Sequence, residues 1–261
     1  MKNEDLEIDE VYKITDSGGK VKLIQEWLNL HNIHIAIDGS FGFATERAVK
    51  QFQRTQGNLE VDGIVGKKTF KSLIFPMMQA IRIFHKFPHY PGDFRYLVGK
   101  SNMEGMVFYA REHLLQGPRE VGGENCGPWV RLYMDGYEGN DYPWCAGFVS
   151  YILEQVYKEK IPVVKSFSVD AIVNDAIKKD IFYKEENLYF VDRIKKIKPG
   201  SLWILRKLWG DWVHIGIVIE VQEDTFTAIE GNTNDRGSRE GIEVSLRIRS
   251  FSRKDFIIFK D

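Results

Sequence analysis

The sequence predicts a small all-α three-helix domain followed by an α+β domain with an antiparallel sheet, and three observations carry that prediction. The phrase Asp-Gly-x-x-Gly-x-x-Thr occurs twice, at Asp38 to Thr45 and at Asp62 to Thr69, and each copy leads into apolar residues at helical spacing. Further helical stretches follow between Glu104 and Ile177. After Lys198-Pro199-Gly200 the period changes to that of strands. Helices first and strands afterwards mark an α+β arrangement rather than alternating βα units.

At 261 residues the chain suits one large domain or two smaller ones. Its 36 basic and 37 acidic residues nearly cancel, and no run of Lys or Arg suggests a nucleic-acid partner. The N-terminus is acidic and lacks the apolar stretch of a secretory signal, and no later segment is long and apolar enough for membrane insertion. The expectation is a chain made in the cytoplasm. Only two cysteines occur, Cys126 and Cys145, without the Cys/His spacing of a zinc site. A single disulfide between them stays open, and it would disable Cys145 as a nucleophile.

Gly18-Gly19 precedes Val21, Leu23, Ile24, Trp27, Leu28 and Leu30, a helical pattern ending near His31-Asn32. Arg47, Ala48, Val49, Phe52 and Gln53 make a second helix, Phe70 and Leu73 a third. In each copy of the phrase the first glycine permits a tight turn, and the second glycine and the Thr lead into a helix. Turn chemistry thus explains the repeated Asp and Gly, and His31 and His34, near a loop, call for no metal. With Ala48-Val49-x-x-Phe52-Gln53 between its copies, the doubled phrase resembles the peptidoglycan-binding domain found at one end of many bacterial and phage cell-wall hydrolases. The resemblance spans about residues 14–75 and implies peptidoglycan as the partner of a domain at 1–75. Residues 76–100, with Phe87-Pro88, Tyr90-Pro91-Gly92 and many aromatics, predict a packed linker holding at most a short helix around Ile81, Ile83 and Phe84.

Glu104 to Leu115 reads as a helix that ends at Gly117-Pro118. Glu120, Gly123, Asn125, Gly127, Val130 and Tyr133 form a loop running into a short helix, and the bend from Asp135 to Asp141 follows. Its oxygen ligands suit calcium, but the full calcium-loop pattern is missing, so a solvated turn is expected. Pro143 suits the first turn of a helix, and Trp144, Phe148, Val149, Ile152, Leu153, Val156 and Tyr157 recur at helical spacing. Cys145 therefore lies in that first turn, at the positive end of the helix dipole and beside free N–H groups, a setting for nucleophilic sulfur. Ile172 through Ile177 predicts another helix. Strands are predicted at Leu202 to Leu205, Trp212 to Val221, Thr225 to Asn232, Gly241 to Leu246 and Phe256 to Phe259.

In the second of these strands Val213, Ile215, Ile217, Ile219 and Val221 share one face, and His214, Gly216 and Val218 the other. If Gln222 to Thr225 form the hairpin turn, antiparallel pairing sets His214 opposite Asn232 or Thr233, with Glu230 on the same face as Asn232. A lone buried cysteine or strand histidine is ordinarily structural. Together with a carboxylate or amide that fixes the tautomer, they supply nucleophile and base.

Trp144-Cys145-Ala146-x-Phe148-Val149, then His214-Ile215-Gly216, then Glu230-Gly231-Asn232 resembles the CHAP amidase/endopeptidase family of the papain-like superfamily. Glu120, Gly123, Asn125-x-Gly127 and Tyr133 are similar to a subgroup of such enzymes in phage lysins. The resemblance covers about residues 101–261 and implies a papain-like α+β fold. It makes Cys145 the nucleophile, His214 the general base and acid, Glu230 the group that orients the imidazole, and Asn232 a second polar group that either shares that task or helps the oxyanion. At Pro199-Gly200-Ser201 the sequence departs from many relatives, which carry Asp after the glycine; a turn rather than catalysis is expected to feel the change. Glu120 and Asn125 are candidates for hydrogen bonds to substrate, and Trp144 and Trp212, with Tyr142, for lining a cleft.

These resemblances imply a modular, monomeric peptidoglycan hydrolase that cuts the amide between sugar and peptide or one within the stem peptide. The mechanism asks for no metal or organic cofactor. The implied role is that of a phage endolysin, made in the cytoplasm and acting on the wall after release. An exported bacterial wall-remodelling enzyme or toxin is the alternative from the same class, and a catalytically silent peptidoglycan-binding protein the alternative from another.

Overall fold

The structure, a computed structural model, describes residues 5–81, 101–188, 190–208, 210–233 and 241–259. Most of the expected linker, 82–100, lies outside the described residues. The helices, in chain order, are α1 (Gly19–Leu30), α2 (Phe43–Gln56), α3 (Lys67–Leu73), α4 (Phe75–Ala80), α5 (Asn102–Gln116), α6 (Pro128–Tyr133), α7 (Cys145–Tyr157), α8 (Val169–Lys178) and α9 (Phe190–Lys196). The strands are β1 (Phe182–Tyr183), β2 (Leu202–Leu208), β3 (Asp211–Val221), β4 (Thr225–Thr233), β5 (Glu243–Ser250) and β6 (Lys254–Ile257).

The chain divides into two compact units, one of Met1–Gln79 and Arg119–Asp141, the other of Ala80–Pro118 and Tyr142–Asp261. The sequence alone placed the whole of 101–261 in one domain; residues 119–141 instead fold with the helical unit.

In the first unit α1 buries Val21, Leu23, Ile24, Trp27 and Leu28 against Ala48, Val49 and Phe52 of α2 and Phe70 and Leu73 of α3. Each repeated turn is built around a buried glutamine of the helix before it. Gln25 Nε2 reaches Asp38 Oδ1 (2.8 Å), the Ser40 carbonyl (3.0 Å) and Thr45 Oγ1 (3.2 Å), while its Oε1 accepts from the Gly39 N–H (2.8 Å). Gln53 repeats the pattern with Asp62 (2.8 Å), the Ile64 carbonyl (3.0 Å), Thr69 (3.3 Å) and the Gly63 N–H (2.9 Å). Gly39 and Gly63 sit at φ 71° and 80°, the left-handed region that such turns require.

Residues 119–141 join this unit through charge and aromatic packing. Arg119 donates to the carbonyls of Asn29 (3.3 Å) and Leu30 (3.0 Å) at the end of α1, where a cation is favoured, and to Asn32 Oδ1 (2.7 Å). Trp129 lies edge-on to Trp27 at 6.2 Å. Arg131 pairs with buried Glu26 (2.7 Å), with Glu138 (2.7 Å) and with Asp5 (3.0 Å).

The second unit is an antiparallel sheet in the order β1-β6-β2-β3-β4-β5 with helices against it. Gln222 and Thr225 close the β3–β4 hairpin through a 2.8 Å backbone bond, and the register sets Ile217 opposite Ile229 and Val218 opposite Ala228. On one face Trp203, Val218, Phe226, Ala228 and Phe256 gather a core with Leu188, Ile197 and Phe251. Against the other packs α7, where Gly231 of β4 faces Phe148 and Trp144. α5 lies along α7. It starts in a capping box formed by Ser101 and Glu104 and ends at Gly117, φ 62°.

Some elements differ from expectation. α7 begins at Cys145, with Trp144 as its N-cap, so Pro143 stands outside the helix. β5 runs to Ser250, and β1 and α9 are additions whose shortness leaves no readable period. At the unusual Pro199-Gly200-Ser201 the chain makes a turn, in which buried Ser201 returns its N–H to the Lys198 carbonyl (3.0 Å) and accepts the Lys198 N–H on its hydroxyl (3.2 Å).

Candidate active site

Cys145, His214, Glu230 and Asn232 all lie in the second unit, and all are buried. Cys145 is the first residue of α7, and Trp144 before it carries no side-chain acceptor for the N–H groups of the first turn. Those groups have no partner within the helix. His214 projects from β3 on the side of Gly216, where a glycine is obligatory. A Cβ at 216 would stand 2.6 Å from Trp203 Nε1, 2.8 Å from Glu230 Cγ and 3.0 Å from the Ile229 carbonyl oxygen. The empty place is what lets Glu230 reach across from β4 to His214.

Glu230 Oε2 lies 3.0 Å from His214 Nε2. With Nε2 so engaged, buried Nδ1 is the ring nitrogen left for the Cys145 thiol; it makes no hydrogen bond among the described residues, and Cys145 lies near enough to act on the charge of the imidazole. Burial pushes the His214 pKa down, but the Cys145 thiol and the Glu230 carboxylate together push it up further, to about 9. Burial likewise raises Glu230, and Arg249, then His214, outweigh it and hold the carboxyl below its ordinary value. The arrangement is a thiol, an imidazole able to take its proton, and a carboxylate that stays ionised and turns the ring.

Arg249 escaped the sequence reading. Its Nε is 2.7 Å from Glu230 Oε1 and a terminal nitrogen 2.5 Å from Oε2. On an edge strand, Arg247 and Arg249 alternate with apolar residues and look like a solvent-facing row; only the pairing of β5 with β4 brings Arg249 to Glu230.

Asn232 sits at φ 54° in an irregularity where Gly231 and Asn232 together stand opposite Val244. Its amide donates to the Gly241 carbonyl (2.8 Å), and its own carbonyl accepts from the Gly241 N–H (3.4 Å), so it pins the two ends of the β4–β5 connection. Trp144 has no exposed surface and packs on Gly231. The Trp212 indole donates to buried Asp255 (2.8 Å) and meets Phe182 edge-on, so both tryptophans are core residues as the structure stands rather than walls of a cleft. Glu120 and Asn125 belong to the first unit. There Glu120 accepts the Asn125 N–H (2.8 Å) and the Asn125 carbonyl accepts the Gly139 N–H (2.8 Å), which is loop bracing.

Cys126 and Cys145 are both free thiols. In the acidic bend Glu138 is engaged by Arg131 and by the Gly127 N–H (3.0 Å). Among the described residues no group of three or more His, Cys, Asp or Glu is gathered as a metal would need, and no helix is long and apolar enough to cross a membrane. His113, buried against Phe148 and Tyr151, is pushed by burial to about 3 and serves packing as a neutral ring.

Fold and site together define a protein that joins a helical module to an α+β unit carrying a buried Cys-His-Glu chain. Residues 17–73 match the family model described as a putative peptidoglycan binding domain, which supports peptidoglycan as a partner of the helical module. No curated protein matches the chain. Among solved structures it is similar to the SleB N-terminal domain, with 33% identity over 26% of this chain and 93% of that one and a TM-score of 0.25. It is also similar to the Burkholderia AP3 phage endolysin, with 24% identity over 46% of this chain and 41% of that one and a TM-score of 0.24.

Proposed function

We propose that the chain is a peptidoglycan amidohydrolase whose second unit cuts an amide of the wall with the Cys145 thiol while the first holds the wall. The observation that carries the reading is the buried imidazole of His214, held at Nε2 by an ionised carboxylate while Nδ1, without a hydrogen-bond partner among the described residues, is left for the nearby Cys145 thiol. The family match of residues 17–73 supports the choice of polymer.

As Sγ attacks the amide carbonyl carbon, His214 Nδ1 takes the thiol proton. The oxygen of the tetrahedral intermediate gathers negative charge beside the N–H groups that open α7. Collapse breaks the C–N bond, His214 hands its proton to the departing amine, and a thioester remains. Water, deprotonated by His214, then attacks the thioester and releases a carboxylate and the free thiol. The proposed setting is that of a phage endolysin reaching the wall after release.

The test is turbidity loss of purified peptidoglycan with wild type and Cys145→Ala, with released fragments weighed. Solubilisation by wild type alone is expected. New amino termini on L-alanine then mean an N-acetylmuramoyl-L-alanine amidase, and cuts inside the stem peptide mean an endopeptidase. Folded, reduced wild type that leaves walls of several compositions intact overturns the reading.

A further inference from the structure

The Glu230 carboxylate has a second partner besides His214: Arg249 binds Oε1 and shares Oε2 with the imidazole. Its fork meets both carboxylate oxygens, at 2.7 and 2.5 Å, and its guanidinium carbon lies 5.2 Å from the centre of the Trp203 ring. That ring in turn stands edge-on to the His214 imidazole, centroids 5.5 Å apart. Arg249 therefore touches both groups that flank the imidazole, one by hydrogen bonds and the other by its flat face.

We propose that Arg249 is a positioning residue for thiol hydrolysis: through Glu230 and Trp203 it fixes the plane of the His214 ring and moderates how tightly that ring holds its proton. The proposal rests on the thiol-hydrolase reading. A carboxylate bonded only to an imidazole keeps a free oxygen and can rotate; a two-pronged guanidinium removes that freedom as a lysine cannot. A buried carboxylate with no countercharge would also keep the imidazole protonated when its proton is due to the leaving amine. Among the described residues the titratable and charged groups that act on this chain are Cys145 from α7, Glu230 from β4, Arg249 from β5 and Lys254 from β6, which acts on both Arg249 and Glu230 and has Glu185 as its own countercharge.

The test compares wild type, Arg249→Met and Arg249→Lys in steady-state peptidoglycan hydrolysis from acid to alkaline pH, with the folded fraction of each measured alongside. In the methionine variant kcat is expected to fall on the order of a hundredfold. KM should stay near the wild-type value, and the alkaline limb should move to higher pH, because Glu230 now acts on His214 unopposed. The lysine variant, with the charge but without the fork, should return the limb to the wild-type position while kcat stays low. An unmoved limb in Arg249→Met, with activity lost only in proportion to folded protein, overturns the proposal. If the methionine variant does not fold, the lysine variant decides, and an unchanged kcat there overturns it.

Alkylation of Cys145 by iodoacetamide in a Cys126→Ser background separates this inference from the reading beneath it. A wild type that neither hydrolyses the wall nor alkylates at Cys145 removes the hydrolase reading and the positioning role with it. A reactive wild type matched by both Arg249 variants removes the positioning role alone.

Discussion

Substituting Gly216 by alanine adds one methyl group at the place where the candidate site is most tightly closed. The new Cβ would stand 2.6 Å from Trp203 Nε1, 2.8 Å from Glu230 Cγ and 3.0 Å from the Ile229 carbonyl oxygen. None of the three yields freely. The carbonyl belongs to the backbone of β4, Trp203 is held between His214 and Phe226, and Glu230 is held by His214 and Arg249. Overpacking of this kind costs about 1–3 kcal/mol, and with three pinned neighbours we expect about 2 kcal/mol. For a unit of this size that lowers Tm by roughly 4–8 °C. The part of the strain that is relieved by moving Glu230 spoils the imidazole's orientation, so kcat should fall on the order of a hundredfold, more than the lost stability explains. The assays are thermal unfolding and peptidoglycan turbidity on the same preparation at a temperature where the variant is folded. A variant with wild-type Tm and kcat would refute the claim that the vacancy at 216 is what admits Glu230.

Three further outcomes follow from the same structure. Arg131→Met should cost about 3 kcal/mol in urea unfolding because it leaves Glu26 charged and buried, and adding Glu26→Gln should recover part of that loss; a double variant no more stable than the single one contradicts it. Gln53→Ala should destabilise the first unit by about 2 kcal/mol and speed hydrogen exchange at the Gly63 amide while leaving Gly39, which rests on Gln25, unchanged. His214 binds its proton more tightly folded, at about 9, than at its ordinary 6.5, so its stabilisation is full below about pH 6.5 and lost as pH climbs through about 9. That is about 3 kcal/mol, read as a fall in urea midpoint over that window in wild type but not in His214→Ala.

Wherever one element carries its own period, the sequence announced it. α1, α2, α5 and α7 repeat apolar residues every three to four positions, and β3 and β4 alternate around a hairpin that falls at Gln222–Thr225. What stayed hidden depends on partners far away in sequence. Gln25 lies 13 residues before Asp38, and Gln53 only 9 before Asp62, so the glutamine shared by both turns has no constant offset. In the sequence, residues 119–141 look like a glycine-bearing loop of the C-terminal domain because Arg119, Trp129 and Arg131 find their partners in and beside α1, about a hundred positions back. Trp144 beside a candidate nucleophile reads as a cleft wall; the Gly231 that receives it can be recognised only once β4 is laid against α7.

The run Glu230-Gly231-Asn232 shows why a short motif can be more specific than its length suggests. Alternation sends Glu230 to the face shared with Trp203 and Arg249, where it meets His214. It sends Gly231 to the opposite face, where a Cβ would stand 2.7 Å from Phe148 Cβ and 2.9 Å from Trp144 Cζ3, so its absence sets how closely the start of α7, and with it Cys145, can approach the strand. Asn232 then takes the left-handed conformation that ends regular pairing, a geometry its short amide tolerates, and fastens the chain to Gly241. Adjacent positions of one strand thus serve the site in different ways: Glu230 reaches the imidazole directly, and Gly231 admits the helix that carries Cys145. Exchanging any of the three residues for one of similar polarity but different shape would move a different wall of the same site, which ties their identities together through geometry rather than through shared chemistry.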